Sequence, residues 1–551
     1  MRIALCQYNP IVGDIETNSR RMCRMLDQAR SAGAELAVFH ELSLVGYPPR
    51  DLLAKDGFVS QNRQAVEQLA GHCKDIAALV GFVGENPEQV GRPLINAAAL
   101  LAQGRVAHVH AKTLLPTYDV FDETRYFQPG SQPGVIEFKG WKLGISVCED
   151  LWDAESLGRA LYQDDPIGRL IDAGADVVIN MAASPFHMGK AATREKLFAR
   201  QARRARAGIV YVNQVGGNDE LVFDGASCVF GHDGQVQARA KSFAEDMLVY
   251  DIESDQPGRI EPLEPEIARL SAALKLGLGD YVTKCGFSSV VLGLSGGIDS
   301  AVVATLAADA VGPENVLGIA MPSRYSSEHS IKDAKDLAEN LGIGWQVFQI
   351  EPIHAAYEQA LAGALDGPGA EVAEENIQAR IRGNLVMAMS NAQGYLPLAT
   401  GNKSELSVGY CTLYGDMSGG FAPIGDVLKT VTYRLAGQLN DEVGSSRIPE
   451  STITKPPSAE LKPDQVDQDK LPPYEILDEI LRGYVEQDLT ADTLIKQGFD
   501  AATVLRIVRM VDLAEYKRKQ AAPVLKVTPR AFGSGRRMPI AQRFGRQEPN
   551  L

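Results

Sequence analysis

The sequence predicts an α/β protein built in two successive parts. Three observations predict it. Short Val/Ile/Leu/Ala runs alternate with helical spacings, the runs are too continuously apolar for strands with one solvent face, and a Pro- and charge-rich stretch interrupts the alternation near the middle. At 551 residues the chain is also too long for one ordinary core.

RIALCQY opens the chain as a strand, and residues 18–32 have helical spacing. AELAVFH (34–40) and IAALVGFVG read as buried strands, and LINAAALLAQGRVAHVHAK reads as a hairpin turning near Gly104. WKLGISVC (141–148) is a strand ending at Cys148, and ADVVINMAAS (175–184) repeats the pattern. A basic helix over 190–207 follows, then the strands IVYVNQ, ASCVFG and QVQARAKS. These elements form a first domain, 1–253, and SDQPGRIEPLEP (254–265) is read as a linker. The second domain, 266–551, starts with a fresh helix leading to SSVVLGLSGGIDSAVVATLAADA, which is strand, glycine loop and helix. VLGIAMP, a helix over 328–341, WQVFQI, a helix near 371–392 and the strand YLPLAT continue a parallel pattern. Residues 443–473 are rich in Pro and lack periodicity, as expected of a long, mobile loop lying as a lid near a ligand.

Composition narrows the function. With 45% hydrophobic and 23% charged residues the chain is globular, and no apolar run reaches the roughly 18 residues that span a bilayer. MRIALCQYNPIVGD reads as strand and turn rather than signal peptide, so a cytoplasmic protein without membrane association is expected. A net charge of −15 argues against nucleic acid as a partner. The seven Cys are scattered, odd in number and without a CxxC pair, which argues against a disulfide framework or structural zinc. The eight His include no HExxH, and none is given a metal role.

SGGIDS (295–300) joins the strand VVLGL to the helix that follows. Gly296 and Gly297 let the backbone bend and approach a ligand, and the next N–H groups face an anion at a helix N-terminus. The loop has no GK[ST], so it is not a Walker A site, and Asp299 is a carboxylate suited to magnesium. A bare Gly-Gly is ordinarily only a turn; strand, glycines, acid, hydroxyl and helix in that order indicate more.

In the first domain, Glu41 (VFHELSLVGYP), Lys112 (HVHAKTLLPTYDVFDETRYF) and Cys148 (GISVCEDLW) each end an apolar strand. Charges there are costly unless paired. A nucleophilic Cys needs a base to manage its proton and a cation to favour thiolate, and Glu and Lys supply both. Cys6, Cys23 and Cys228 lack that context and read as small buried hydrophobes.

These motifs carry resemblances. SGGIDS resembles the pyrophosphatase loop of the ATP-pyrophosphatase superfamily, whose members adenylate an oxygen and let ammonia displace AMP. ENIQARIRGN, LATGNKSELSVGYCTLYGDMSGGFAPIGDVLKT and PPSAELKPDQVDQDKLPPYEILDEIL are similar to NAD synthetases, over most of 266–530. The resemblance implies a doubly wound parallel sheet of the ATP-pyrophosphatase type. It places ATP against Ser295, Gly296, Gly297, Asp299, Ser300 and Thr400, deamido-NAD against Asn376, Glu405 and Lys517, and Mg²⁺ on Asp299 and Glu405. The Glu41, Lys112 and Cys148 segments together resemble the nitrilase superfamily over about 1–253, implying a nitrilase-like αββα sandwich. By that resemblance Cys148 attacks the glutamine amide, Glu41 is the general base, Lys112 stabilises the oxyanion and Glu123 positions Lys112. Tyr118, Ser184 and Lys190 match positions that hold glutamine, although AASPF stands where related synthetases often have NPSPF. The two halves imply a homo-oligomeric, glutamine-dependent NAD synthetase in which ammonia passes between sites. Another glutamine-fuelled ATP-pyrophosphatase with a different acceptor, or a nucleotide-binding sensor without turnover, remain the alternatives.

Overall fold

The apolar runs of the first part form strands covered on both faces in the computed structural model, which describes residues 1–205, 208–254, 256–365, 367, 369–462 and 465–544. Strand β1 (Arg2–Gln7) shows why the run has no polar alternation: Ile3 and Leu5 enter one core while Ala4 and Cys6 enter another. Helices α1 (Ile15–Ser31) and α2 (Asp56–His72) close the second core with Met22, Leu26, Val66 and Leu69. Asp14 caps α1 by accepting from the Thr17 N–H.

The following strands are β2 (Leu36–Phe39), β3 (Ala77–Glu85), β4 (Leu94–Ala102), β5 (Arg105–Ala111), β6 (Gly134–Phe138), β7 (Trp141–Val147), β8 (Val177–Ala182) and β9 (Ile209–Asn213). Next come β10 (Val215–Asn218), β11 (Leu221–Asp224), β12 (Cys228–Phe230), β13 (Val236–Arg239) and β14 (Asp246–Asp251). They form one sheet in the order β14-β1-β2-β3-β4-β5 and another in the order β13-β12-β9-β8-β7-β6. Ile3, Leu5, Val38 and Leu79 of the first sheet share a core with Ile145 and Val178 of the second. Helices α3 (Pro166–Asp172) and α4 (Lys190–Ala202) add Leu170, Leu197 and Phe198, completing an αββα sandwich. The expected hairpin is β4–β5, turning at Gln103 and Gly104 with φ of +54° and +76°, the left-handed pair that a two-residue turn requires.

Three details differ from the expectations. The basic helix stops at Ala202, and residues 206 and 207 of the expected span lie outside the described residues. IVYVNQ runs at once into the small hairpin β10–β11. The start of the Pro-rich stretch lies along β13, with Gly258 N donating to Gln237 O at 2.8 Å and Arg239 N to Arg259 O at 2.9 Å. The chain divides into two compact units, Met1–Glu264 and Pro265–Leu551.

The second unit starts with α5 (Glu266–Lys284) and continues with β15 (Val290–Gly293), α6 (Ile298–Val311), β16 (Val316–Ala320), α7 (Glu328–Leu341) and β17 (Gly344–Val347). Helices α8 (Glu351–Ala360) and α9 (Ala370–Gln393) precede β18 (Leu396–Pro397). The sheet is parallel with order β17-β16-β15-β18. YLPLAT therefore gives the sheet only two residues. Ile381 and Val386 of α9 pack on Val291, Leu317 and Ile319 across one face. Helix α6 is buried at nearly every residue from Ile298 to Ala308, which is why its sequence has no polar stripe. The strand order reverses between β15 and β18, so their carboxyl ends open a crevice. Helices α10 (Lys403–Val408) and α11 (Lys429–Asp441) follow, and the aperiodic 443–473 stretch contains a short α12 (Glu450–Thr454); its residues 463 and 464 lie outside the described residues. Among the described residues no helix is long and apolar enough to cross a membrane.

Candidate active sites

In the first unit the structure brings Glu41, Lys112, Glu123 and Cys148 together in a sealed place. Lys112 Nζ donates to Glu41 Oε1 at 2.7 Å and to Glu123 Oε1 at 2.8 Å. Asn96 donates to the same Glu41 oxygen at 2.7 Å, Tyr47 OH donates to Glu123 at 2.9 Å, and Ala183 N–H fixes Glu41 Oε2 at 2.9 Å. Every member of this set is buried. Burial alone would pull the Lys112 ammonium down, but the Glu123 and Glu41 carboxylates raise it well above its ordinary value.

Strand β7 stops at Val147, one residue short of the expected end, and Cys148 follows it with φ of +44°, a left-handed conformation that turns the chain sharply off the strand. Asp150 holds that corner: its carboxylate accepts from Val147 N at 3.0 Å, Thr113 N at 3.0 Å and Leu114 N at 2.7 Å. The corner bearing Cys148 is thereby tied to the chain just after Lys112. Burial and the Glu41 carboxylate push the Cys148 thiol well up, outweighing Lys112. The surroundings thus favour the thiol over the thiolate, and the Glu41 carboxylate is a group chemically able to take its proton.

Tyr118, Ser184 and Lys190 sit around this centre with partners of their own. Tyr118 OH donates to Glu149 at 2.9 Å, as does Tyr162 OH at 2.9 Å. Ser184 N donates to Asn213 Oδ1 at 2.9 Å. Lys190 Nζ donates to Pro185 O at 2.7 Å and lies 5.8 Å from the Trp152 ring centre.

In the second unit a cavity of about 320 Å³ opens at the carboxyl ends of β15 and β16. Ser295, Gly297, Asp299, Ser300, Thr400 and Glu405 line it. Gly296 is behind that wall with φ of +77°, where a Cβ would stand 2.2 Å from Ser330 O, so only glycine fits. Ser295 and Ser300 hydroxyls lie 3.2 Å apart. Lys429 Nζ pairs with Asp299 and with Glu405 Oε1, the latter at 3.1 Å, and Asn402 donates to Asp299 at 3.0 Å.

The cavity wall also carries Asp467, buried, accepting from Tyr474 OH at 2.8 Å through one oxygen and with no partner for Oδ1 among the described residues. Three carboxylates thus face one ammonium. Burial raises Glu405, and the like charges of Asp299 and Asp467 add to it against Lys429. Hard oxygen donors with a negative surplus fit a magnesium ion. Asn376 and Lys517 are not on the cavity wall: Asn376 Oδ1 accepts from Thr412, which is on it, at 2.6 Å, and Lys517 Nζ donates to Gly409 O at 2.8 Å and Cys411 O at 2.7 Å. Both brace the turn at 409–412.

Sequence reasoning missed Asn96, Asp150, Lys429 and Asp467. Lys429 carried a signal, a Lys directly after the apolar pair Val427-Leu428 in a quoted segment, but its partner Asp299 is distant in sequence.

A family model for carbon-nitrogen hydrolases matches residues 2–260, and one for NAD synthases matches residues 270–521. A glutamine-dependent NAD(+) synthetase of Synechocystis is 49% identical over 98% of this chain and 99% of its own length. The chain belongs to the glutamine-dependent NAD(+) synthetases. A Thermotoga maritima member of that family is 41% identical over 99% of both chains. The Acinetobacter baumannii glutamine-dependent NAD+ synthetase, solved in complex with adenosine diphosphate, superposes with a TM-score of 0.77 at 39% identity, covering 98% of each chain. An adenine nucleotide therefore binds a solved member of this family of ligases.

Proposed function

We propose that this chain makes NAD from deamido-NAD, ATP and glutamine. The supporting observation is that one chain holds both a buried Glu–Lys–Cys centre and a glycine-loop cavity at a strand-order reversal. In the first unit Glu41 takes the Cys148 proton as sulfur attacks the amide carbon of glutamine. Lys112, held by Glu41 and Glu123, donates to the oxyanion. The proton returns to the leaving nitrogen, ammonia departs, and water cleaves the thioester to glutamate with Glu41 again as base. Tyr118, Ser184 and Lys190 line up the glutamine.

In the second unit Ser295, Gly296, Gly297 and Ser300 receive the ATP phosphates at the α6 N-terminus, where N–H groups favour anions. Thr400 orients the nucleotide, and Glu405 faces the dinucleotide, with Asn376 and Lys517 acting through the turn they brace. Magnesium on Asp299 and Glu405 would neutralise triphosphate charge. The nicotinate carboxylate attacks the α-phosphorus and releases pyrophosphate; ammonia then displaces AMP to give NAD. Steady-state NAD formation tests this reading. Pyrophosphate release that follows xanthylate or aspartate instead of deamido-NAD would overturn it.

A further inference from the structure

The second unit contains another group of ligating side chains, well apart in role from the residues assigned above. His354 and Glu358 are four residues apart on α8, and so lie on one helix face. Glu374 comes from the first turns of α9. One ligand atom from each of the three lies within 4.8 Å of the other two.

His354 makes this more than a cluster of acids. Its side chain is 1% exposed, and Nδ1 stands 3.9 Å from Glu358 Oε1, too far for a hydrogen bond. Neither ring nitrogen has a hydrogen-bond partner among the described residues. An imidazole buried with both nitrogens unsatisfied is costly. The surroundings are also short of positive charge. Arg324 pairs with Glu351 and, through Nη1 at 3.2 Å and Nη2 at 3.1 Å, with both oxygens of Glu358. Two carboxylates, those of Glu351 and Glu358, thus share one guanidinium, and Glu374 has no ion pair among the described residues.

We propose that His354, Glu358 and Glu374 bind a divalent transition-metal ion, zinc or a metal of similar preference. One imidazole with two carboxylates suits that class, whereas magnesium and calcium favour oxygen alone. Bonds of about 2.0–2.1 Å put tetrahedral ligand atoms roughly 3.3 Å apart. Binding requires the atoms to close from their present spread to that separation, and Glu358, which is exposed, and Glu374, which is half-buried, are the side chains with room to move. The open side leaves a position for water. Arg324 keeps Glu358 Oε2, so that carboxylate joins metal and guanidinium as an outer partner commonly does. The ion clamps α8 to α9. Helix α9 also supplies Arg382 to the cavity wall and to Met321 O at 3.0 Å, so the clamp steadies the wall of the nucleotide cavity.

The test uses the full chain, stripped with chelator and returned to chelator-free buffer, then titrated with Co²⁺ alone and Zn²⁺ alone. One equivalent of Co²⁺ is expected to give the visible absorption of a tetrahedral N/O site, and Zn²⁺ to displace it and raise the unfolding midpoint. His354→Ala and Glu374→Gln should each weaken that uptake by more than about tenfold. Asp299→Asn and Cys148→Ala should leave it intact. Glu374→Gln keeps shape at a half-buried position, so it reports on the metal even if His354→Ala folds poorly. A wild-type chain that binds no Co²⁺, or a Glu374→Gln chain that binds it as tightly as wild type, overturns the proposal.

Discussion

Lys112 and Lys429 are each held between two carboxylates, but in opposite surroundings. Lys112 and Glu41 have side chains at 0% exposure, and the Lys112 ammonium is engaged by both Glu41 and Glu123. Asp299 and Glu405 each keep 17% side-chain exposure beside an open cavity, with Asp467 as a third acid. The first arrangement is assembled before substrate arrives, as suits the proposed covalent chemistry on a small amide. The second carries surplus negative charge in a space large enough for nucleotides. The same ion triad serves as a fixed tool where water is shut out and as an incomplete socket where ligands bring their own charge.

Four changes would sharpen or break that contrast. The largest concerns the sealed site. Cys148→Ala should lower glutamine-driven NAD formation by about four orders of magnitude or more, while ammonium salt at mildly alkaline pH still supports it. Normal use of glutamine by the folded variant would remove Cys148 as nucleophile. A folded variant that also fails with ammonium would show that the two sites cannot be run separately.

Asp299→Asn should cut pyrophosphate release by roughly 10²–10³-fold at saturating deamido-NAD, with glutamine hydrolysis retained. Near-normal release would exclude Asp299 from the adenylation site.

The third change uses acidity. Burial, with Asp299 and Asp467 nearby, pushes Glu405 up to about 8 from its ordinary 4.5. A carboxyl raised on folding holds its proton more firmly in the folded chain, so its contribution to stability falls as pH rises between those values. Glu405→Gln has no proton to lose. From about pH 5 to about pH 8 its unfolding midpoint should fall less than the wild-type midpoint, by roughly 2–4 °C. Parallel pH curves would mean that Glu405 is ionised throughout.

The smallest effect belongs to the cavity rim. Glu460 accepts from Ser327 Oγ at 2.9 Å and Ser330 Oγ at 2.7 Å at the start of α7. Glu460→Gln should weaken that latch by about 0.5–1 kcal/mol and speed hydrogen exchange over 455–461, with ATP slowing exchange in both proteins. Unchanged exchange in the variant would show that the latch lies elsewhere.

Much of this was legible in the sequence because it is local. Continuous apolar runs gave the doubly covered strands, and the helix expected over 328–341 is Glu328–Leu341. Glu41, Lys112 and Cys148 could be picked out because charge or thiol at the end of an apolar strand is unusual. The hairpin Val215–Asp224 was hidden because VGGN has little strand propensity; it forms because its partner LVFD is buried. Asn96 sits in a run of Ala and Leu and looked like an interruption of β4, yet it is a ligand of Glu41. Asp467 was passed over inside an aperiodic polar stretch, because its burial depends on Tyr474 and on the cavity wall rather than on its neighbours. What the sequence hides is pairing across long separations.

The raised pKa of Cys148 also bears on chemical selectivity. General alkylating reagents react with thiolates, and burial together with the Glu41 carboxylate disfavours the thiolate of this sulfur. Such reagents reach the exposed Cys285 first. On the proposed mechanism, an electrophile built on a glutamine-shaped amide would instead recruit Glu41 as base at the moment of attack, so warhead intrinsic reactivity would matter less than fit. A useful covalent probe of this protein should therefore be mild and substrate-shaped.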